Sequence, residues 1–182
     1  MPRLTTSDIA RSAVFAALIA GGAFVAIPVG AVPVTLQVFF VLLAGMILGP
    51  RLAALAVVAY LVLGLAAPVY AAGTSGIGVL LGPTGGYLSA FVPAVLVVGW
   101  LAGRREPTVA WLLASGLAGL APIYALGAPW LAVQLDMGVS ATVSAGVLPF
   151  VAVDVVKAGF AAAVARALVS LPLGLPAAQR DR

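Results

Sequence analysis

Charged side chains are scarce throughout this chain, and their scarcity constrains the fold more than any other feature of the sequence. The 182 residues include nine Lys or Arg and five Asp or Glu, and 64% of all residues are apolar. A typical soluble domain has about 25% charged residues and uses them to cover its surface. Most of the surface of this protein is therefore expected to lie in lipid, and the sequence predicts an integral membrane protein.

The residue types that are missing exclude several kinds of chemistry. The chain has no Cys and no His, so it has no thiol nucleophile, no histidine base and no His- or Cys-ligated zinc or haem. Its one lysine, Lys157, follows Val156, whereas the Walker A motif requires a glycine before its lysine. The sequence predicts no enzyme activity, no cofactor and no metal site, and an ATP-driven step would need a nucleotide-binding partner.

Six stretches are apolar enough to be read as transmembrane helices, which need about 20 residues each. The second and third are separated by Gly49-Pro50-Arg51, which indicates a tight turn between antiparallel helices. We therefore predict a single all-α domain over residues 1–182, a bundle of six transmembrane helices with spans near residues 10–27, 35–48, 52–67, 83–102, 109–126 and 141–171.

The arginines predict how this bundle is oriented. With six spans, they all fall on the side of the two termini: Arg3, Arg11, Arg51, Arg104, Arg105, Arg166, Arg180 and Arg182. The connections on the opposite side contain neither Lys nor Arg. By the positive-inside rule, both termini are expected in the cytoplasm. The net charge of +4 then reflects topology rather than nucleic-acid binding, and the predicted location is the bacterial cytoplasmic (inner) membrane.

The connections on the outer side are more apolar than is usual for solvent-exposed linkers. Residues 28–33 begin and end with proline, and residues 69–82 are rich in glycine. Apolar loops gain nothing from lying in water, so these two are expected to fold over the bundle as caps. The last outer connection, residues 127–140, contains Trp130 and is expected to hold a short interfacial helix.

Two charged residues, Asp154 and Lys157, fall well inside the sixth span. An ionisable group in the hydrocarbon region costs about 2.5–3.5 kcal/mol on insertion scales and is a functional hypothesis by default. Their i, i+3 spacing places both on one helical face. They form either a self-neutralising pair that joins helices or a polar ligand site. A purely structural pair is replaceable by apolar residues at little cost, which favours the ligand site.

Other polar and small residues are weaker candidates. Residues 82–87, Gly-Pro-Thr-Gly-Gly-Tyr, open the fourth span. They offer either free N–H groups that could bind a carboxylate or glycines that allow close helix packing. The spacing of these residues does not distinguish between the two interpretations. Thr35 and Gln37 lie where the second span begins. The first span has small residues at four-residue intervals, which permit close helix contact: Ala13 with Ala17, and Ala16 with Ala20.

Four strings are more specific together than any one alone: PVTLQVFFVLLAGMILGPR, LLGPTGGY, YALGAPWLA and GVLPFVAVDVVKA. In this order they resemble the BioY family, the biotin-specific substrate-capture subunits (S components) of energy-coupling factor transporters. The resemblance covers residues 10–166 and implies high-affinity binding and uptake of biotin near the outer face, without any reaction. It also implies partners, namely a membrane-embedded coupling subunit (the T component) and two ATP-binding-cassette ATPases.

The resemblance assigns substrate binding to the polar positions that match the family strings: Asp154, Lys157, Thr35, Gln37, Thr84, Gly85 and Tyr87. The fused rings of biotin are apolar enough to pack on Tyr87, Tyr70 or Phe39. The small residues of the first helix are implied as the contact with the coupling subunit: Ala13, Ala16, Ala17 and Ala20.

Several alternatives stay open at this point. Asp154 can accept the ureido N–H groups of biotin, and Lys157 can donate to the ureido carbonyl or pair with the carboxylate; the sequence does not choose. A small proton-coupled carrier that uses Asp154, or an S component for another vitamin, is the alternative function. A homo-oligomer is also compatible with the sequence.

Overall fold

The structure, a computed structural model, describes residues 4–171, and it is helical over most of that range. Arg3, Arg180 and Arg182, which contribute to the predicted orientation, lie outside the described residues. The seven α-helices are α1 (Thr6–Phe24), α2 (Gln37–Ala66), α3 (Ile77–Leu81), α4 (Gly85–Ala102), α5 (Val109–Leu135), α6 (Val139–Gly146) and α7 (Leu148–Val169). Four of them (α1, α2, α4 and α5), and α6 with α7 taken together, are long and apolar enough to cross a membrane.

Helix α2 reverses direction near its middle. Gly49 has φ 73° and ψ 177°, which is not helical, and Pro50 follows it. Gln37 and Tyr60, which a straight helix would hold about 35 Å apart at 1.5 Å per residue, are joined by a 2.5 Å hydrogen bond between the Gln37 Nε2 and the Tyr60 hydroxyl. The two arms, residues 37–48 and 50–66, therefore run antiparallel, as the Gly49-Pro50 sequence predicts.

The α2 turn lies at the end of the bundle where α1 begins and α4 ends. The Ser12 hydroxyl donates to the Leu52 carbonyl at 3.1 Å, and the Cα of Gly99 lies against Pro50. The connection from α4 to α5 is fastened by two arginines over tryptophan rings, Arg104 over Trp100 at 3.8 Å and Arg105 over Trp111 at 4.4 Å. Most of the basic residues of the described chain thus gather at one end.

The opposite end of the bundle carries the irregular connections. Between α1 and α2, strands β1 (Ala26–Ile27) and β2 (Val34–Thr35) form a two-stranded antiparallel hairpin, with Ala26 opposite Thr35. Between α2 and α4 come a 3₁₀ turn (Ala71–Gly73) and the short helix α3. The hairpin is a small departure from the all-α prediction. It arises because Pro28 and Pro33 stop the helices and the chain must return within a few residues.

Two helices differ in extent from the expected spans. Helix α5 continues to Leu135, so Trp130 lies within it and not in a connection. The last span is divided at Val147 into α6 and α7. Pro149 stands in the first turn of α7, where a missing N–H does no harm, and it disfavours a continuous helix through the preceding residues.

The core of the bundle is formed by α2 and α4, which are the most buried of the candidate spans. Their small residues let backbones approach closely: a Cβ on Gly45 would lie 2.8 Å from the Val98 side chain. Helices α1, α5 and α7 pack around this pair and leave apolar faces outward, including Val14, Phe160 and Val164. Apolar outer faces of this kind are what a lipid-embedded bundle requires.

Candidate ligand site

A cavity of about 310 Å³ lies at the end of the bundle that carries the irregular connections. Ligand sites for small molecules span about 300–1,000 Å³ and are mostly apolar with a few polar groups. Its wall is drawn from the hairpin, from α2 to α5 and from α7. Apolar side chains such as Leu88, Phe91, Ile123 and Phe150 line much of it. The cavity is therefore of a size and character that suit one small organic molecule.

The buried part of the wall holds the two charged residues predicted from the sequence. Asp154 is 4% exposed and Lys157 8% exposed, and both line the cavity. The Lys157 Nζ donates to Oδ1 of Asp154 at 2.7 Å. Helix α7 places them one turn apart on one face, as their spacing requires. The pair is thus both self-neutralising and part of the cavity wall, and its role in binding a ligand stays a prediction.

Tyr124 of α5 completes this cluster. Its hydroxyl donates to Oδ2 of Asp154 at 2.7 Å, and its side chain also lines the cavity. Each carboxylate oxygen of Asp154 therefore receives one hydrogen bond from the protein. The sequence analysis did not identify Tyr124. A tyrosine in the middle of an apolar span needs a hydrogen-bond partner for its hydroxyl, so its position alone could have marked it as a candidate.

Gln37 and Thr35 form a second polar group on the wall. The Thr35 hydroxyl donates to the Gln37 side-chain oxygen at 3.0 Å, and the Gln37 backbone N–H donates to that hydroxyl at 3.3 Å. The Gln37 amide nitrogen donates to Tyr60. Because an amide nitrogen carries two N–H groups, Gln37 keeps one donor that is free to face a ligand.

Residues 82–87 form the wall at the start of α4, and their glycines serve packing. A Cβ on Gly86 would collide with Trp130, and a Cβ on Gly85 would collide with the Leu80 carbonyl. The backbone N–H groups of Gly85 and Tyr87 donate to the carbonyls of Gly82 and Thr84. This end of α4 is therefore packed closely, which favours the packing interpretation over an open anion site.

Tyr87 and Thr84, which were predicted to bind substrate, line the cavity. The Tyr87 hydroxyl donates to the Gly146 carbonyl at 2.8 Å, and its ring packs on Gly127. The break between α6 and α7 leaves that carbonyl available. Tyr87 thus ties α4 to the end of α6.

Three predicted residues are not brought to the cavity wall. Gly85 is packed against α3. Tyr70 is fully buried, its hydroxyl donates to the Leu61 carbonyl at 2.6 Å, and its ring meets Tyr60 edge-on at 5.7 Å. Burial raises the pKa of Tyr70 above its ordinary value, so it stays a neutral donor. Phe39 packs edge-on against Phe40 at 4.9 Å.

Both apolar connections cover the cavity, as the sequence predicts. Val32, Pro33 and Val34 of the first contribute to its wall, and so do Ala71 and Thr74 of the second. Val32 is buried. Other apolar side chains of the second connection, including Ile77 and Leu81, stay exposed.

The small residues of α1 divide between two faces. Ala16 and Ala20 are each 7% exposed and pack within the chain, whereas Ala13 and Ala17 are exposed. Only the second pair is accessible to another protein without a rearrangement of α1. Of the four residues that the resemblance implies as a coupling-subunit contact, Ala13 and Ala17 are thus on the outer face of α1 and Ala16 and Ala20 on its inner face.

The fold and the cavity together define a multi-pass helical membrane protein with a small-molecule site at one end of its bundle. The family model described as "BioY family" matches residues 1–172 of the sequence. The chain belongs to the BioY family.

Individual relatives agree with this assignment. The chain is 45% identical over 162 residues to the "Biotin transporter BioY" of Thermotoga maritima, with 88% of this chain and 95% of that protein covered. It is 42% identical over 166 residues to the "Probable biotin transporter BioY" of Pyrococcus horikoshii, with 91% and 98% covered.

A solved structure has the same fold. It is a crystal structure of the S-component for biotin from an ECF-type ABC transporter, and it superimposes with a TM-score of 0.84 at 28% identity, over 93% of this chain and 96% of that one. These relationships are those of a transport protein and not of an enzyme.

Proposed function

We propose that this chain binds biotin in the cavity and serves in biotin uptake as the substrate-specific S component of an energy-coupling factor transporter. The observation that carries the proposal is the buried pair Asp154 and Lys157 on the wall of a cavity of about 310 Å³. The names of the relatives and of the structural neighbour supply the ligand.

The chemistry of the cavity suits the ligand. The ureido ring of biotin has two N–H donors and one carbonyl acceptor, and its fused rings are otherwise apolar. Asp154 supplies acceptor oxygens, and Lys157 and Gln37 supply donors, on a wall that also holds Leu88, Phe91 and other apolar side chains. Such a wall satisfies a compact head group with mixed polarity while removing its apolar atoms from water.

The proposed arrangement in the membrane has six crossings, with α2 contributing two. The reversal at Gly49 supports the pair of crossings, and the basic residues near one end support a cytoplasmic location for that end and both termini. The cavity then faces the outer side of the bacterial cytoplasmic membrane, where an external vitamin first meets the protein. Lipid covers the apolar outer faces of α1, α5 and α7.

The proposed partners are a membrane T subunit and two cytoplasmic ABC ATPases. The chain has no Walker A lysine of its own, so ATP hydrolysis belongs to other subunits. The exposed Ala13 and Ala17 offer a flat strip on α1 against which a partner helix can pack closely. Ala16 and Ala20, which face the chain itself, support that helix from within.

The proposal is tested by titrating purified protein with biotin by calorimetry. Asp154→Asn is expected to weaken binding at least tenfold, about 1.4 kcal/mol, because it removes the acceptor charge of the site. Asp136→Asn is the matched control: Asp136 is exposed at the end of α5, and its substitution is expected to leave the affinity unchanged.

A second variant separates loss of binding from loss of folding. Asp154→Asn leaves Lys157 buried without its counter-charge, which destabilises proteins. The double variant Asp154→Asn with Lys157→Met removes both charges. It is therefore expected to keep the melting temperature of the wild-type protein and still to fail to bind biotin. Wild-type affinity in a folded Asp154→Asn protein would refute the role proposed for this pair.

A further inference from the structure

The connection between α4 and α5 carries two consecutive arginines, and each of them contacts a tryptophan. The Cζ atom of Arg104 lies 3.8 Å from the centre of the Trp100 ring, and that of Arg105 lies 4.4 Å from the centre of the Trp111 ring. Contacts of this kind hold a guanidinium over the face of an aromatic ring. These four residues, the Arg–Trp cluster, therefore fix two cationic groups at the end of the bundle where α4 ends.

The two guanidinium groups of the cluster have donors to spare. Both arginines are exposed, and neither side chain makes an ion pair or a hydrogen bond with any other of residues 4–171. A guanidinium has five N–H groups, and a contact over a ring leaves those at its edge available. Arginine donors match the oxygens of a phosphate in pairs. An anion that presents phosphate oxygens therefore suits the cluster.

The residues along this edge of α4 follow the order of polarity in a phospholipid. Leu96 and Trp100 lie one turn apart on the same face of α4 and are 42% and 54% exposed. Arg104 contacts Trp100 from just beyond the end of the helix. An apolar side chain, an indole and a cation thus follow one another toward the end of the bundle. The acyl chain, the interface and the phosphate of a lipid follow one another in the same way, and tryptophan is enriched at the interface.

The charge of the connection indicates which kind of lipid fits. Glu106 follows the two arginines, is also exposed, and lines an open depression together with Arg105 and Trp111. Two arginines and one glutamate give the connection a net charge of +1. A head group with one negative charge, such as that of phosphatidylglycerol, neutralises this charge. A zwitterionic head group, such as that of phosphatidylcholine, does not.

We propose that the Arg–Trp cluster binds the head group of an anionic phospholipid in the leaflet at this end of the bundle. Arg104 and Arg105 donate to the phosphate oxygens, and an acyl chain lies along Trp100 and Leu96. The ligand cavity lies at the opposite end, so the lipid site is separate from it. The inference rests on the proposed function only in identifying this leaflet as the cytoplasmic one, where anionic lipids attract basic residues next to membrane spans.

The test is native mass spectrometry of the full-length protein in micelles that contain equal amounts of phosphatidylglycerol and phosphatidylcholine with the same acyl chains. The wild-type protein is expected to retain at least about fivefold more phosphatidylglycerol. Arg104→Gln with Arg105→Gln is expected to lower this ratio to less than about twofold, because it removes both phosphate donors. The ratio is measured on the intact protein that retains lipid, so it does not depend on the yield of the variant.

The matched control is the double variant Arg51→Gln with Arg166→Gln. It also removes two exposed arginines from this end of the bundle, but neither of them lies over a tryptophan among residues 4–171. This variant is expected to keep the wild-type ratio. Equal retention of the two lipids by the wild-type protein, or an equal loss of preference in both double variants, would overturn the inference, because the cluster would then act like any other pair of surface charges.

Two further measurements identify the source of the phosphate and separate this inference from the proposed function. Inorganic phosphate in large excess is expected not to displace phosphatidylglycerol, since it has no acyl chain; displacement would indicate a site for free phosphate and overturn the lipid assignment. Both double variants are expected to bind biotin as the wild-type protein does. Biotin binding without a lipid preference would overturn the lipid site alone, and a lipid preference without biotin binding would overturn the proposed function alone.

Discussion

At the scale of single residues, the Asp154 carboxylate is held in place by two donors from two helices. Lys157 lies one turn further along α7, and Tyr124 reaches across from α5. No buried side-chain polar atom among residues 4–171 lacks a hydrogen-bond partner. This complete pairing allows a charged cluster to persist inside an apolar bundle, and it also fixes the direction in which the remaining lone pairs of Asp154 point.

Tyr124 is therefore predicted to position Asp154 for the ligand. Tyr124→Phe removes one hydrogen bond to a buried carboxylate, and biotin binding is expected to weaken about tenfold, about 1.4 kcal/mol. Tyr70→Phe is the control, because the Tyr70 hydroxyl bonds to the Leu61 carbonyl away from the cavity. Calorimetric titrations that rank these two variants in the opposite order would contradict this placement of the site.

Candidate site residues can be predicted from the sequence when a residue type is unusual for its position in or next to a membrane span. Asp154 and Lys157 stand out because a charged side chain is costly inside a membrane span. Thr35 and Gln37 stand out because they are polar residues at the beginning of a span. Tyr124 was missed because Asp154, which accepts its hydrogen bond, lies 30 residues away on another helix. Hydropathy does not show which side chains are hydrogen-bonded to each other. Tyr70 and Phe39 were expected at the ligand because aromatic rings suit it, but an apolar ring packs equally well in the core.

At the scale of elements, the decisive feature is the reversal of α2. Gly49 adopts φ 73° and ψ 177°, a region that is open to glycine and costs other residues about 1–3 kcal/mol. The reversal lets the start and the end of α2 meet through Gln37 and Tyr60, which brings a polar side chain of the first arm to the cavity.

Gly49→Ala is accordingly expected to lower the free energy of unfolding by about 1–3 kcal/mol. Thermal melting of the purified protein in detergent measures the effect. Gly159→Ala is the matched control: an added Cβ there meets nothing within 4 Å, and Gly159 lies inside α7, where alanine favours the helix by about 0.5–1 kcal/mol. Equal melting temperatures for the two variants would argue against a strained turn at Gly49.

Element boundaries were harder to predict than the elements themselves. An apolar window shows where a helix can lie in lipid, but it does not show where hydrogen bonding stops. Helix α5 continues through Pro129 to Leu135 because the chain stays apolar beyond residue 126. The break at Val147 is caused locally by Pro149. A hydropathy average over a whole span does not detect the effect of a single proline. The turn at Gly49-Pro50 was predictable because both residues favour a reversal.

At the scale of the whole molecule, the orientation in the membrane rests on the distribution of arginine and on the two crossings of α2. The chain has no cysteine, so single cysteines report topology without background. Ser75→Cys, in the connection after α2, is expected to react with a membrane-impermeant maleimide in intact cells. Glu106→Cys, in the connection after α4, is expected to react only after permeabilisation. Both positions are exposed in the structure.

The reverse pattern would contradict the six-crossing arrangement. If α2 crossed the membrane once, residues 75 and 106 would exchange sides while the amino terminus stayed in the cytoplasm. The labelling therefore tests the reversal at Gly49 and the orientation of the cavity in one experiment, independently of any ligand.

The central claim is that this bundle holds one vitamin, biotin, in a cavity built around Asp154 and Lys157. The measurement that tests it most directly is a calorimetric titration of the purified wild-type chain, without partner subunits, with biotin, thiamin and riboflavin in turn. The account predicts saturable binding of one biotin per chain and no measurable heat of binding from the other two vitamins. Absence of biotin binding, or equal binding of thiamin or riboflavin, would contradict it.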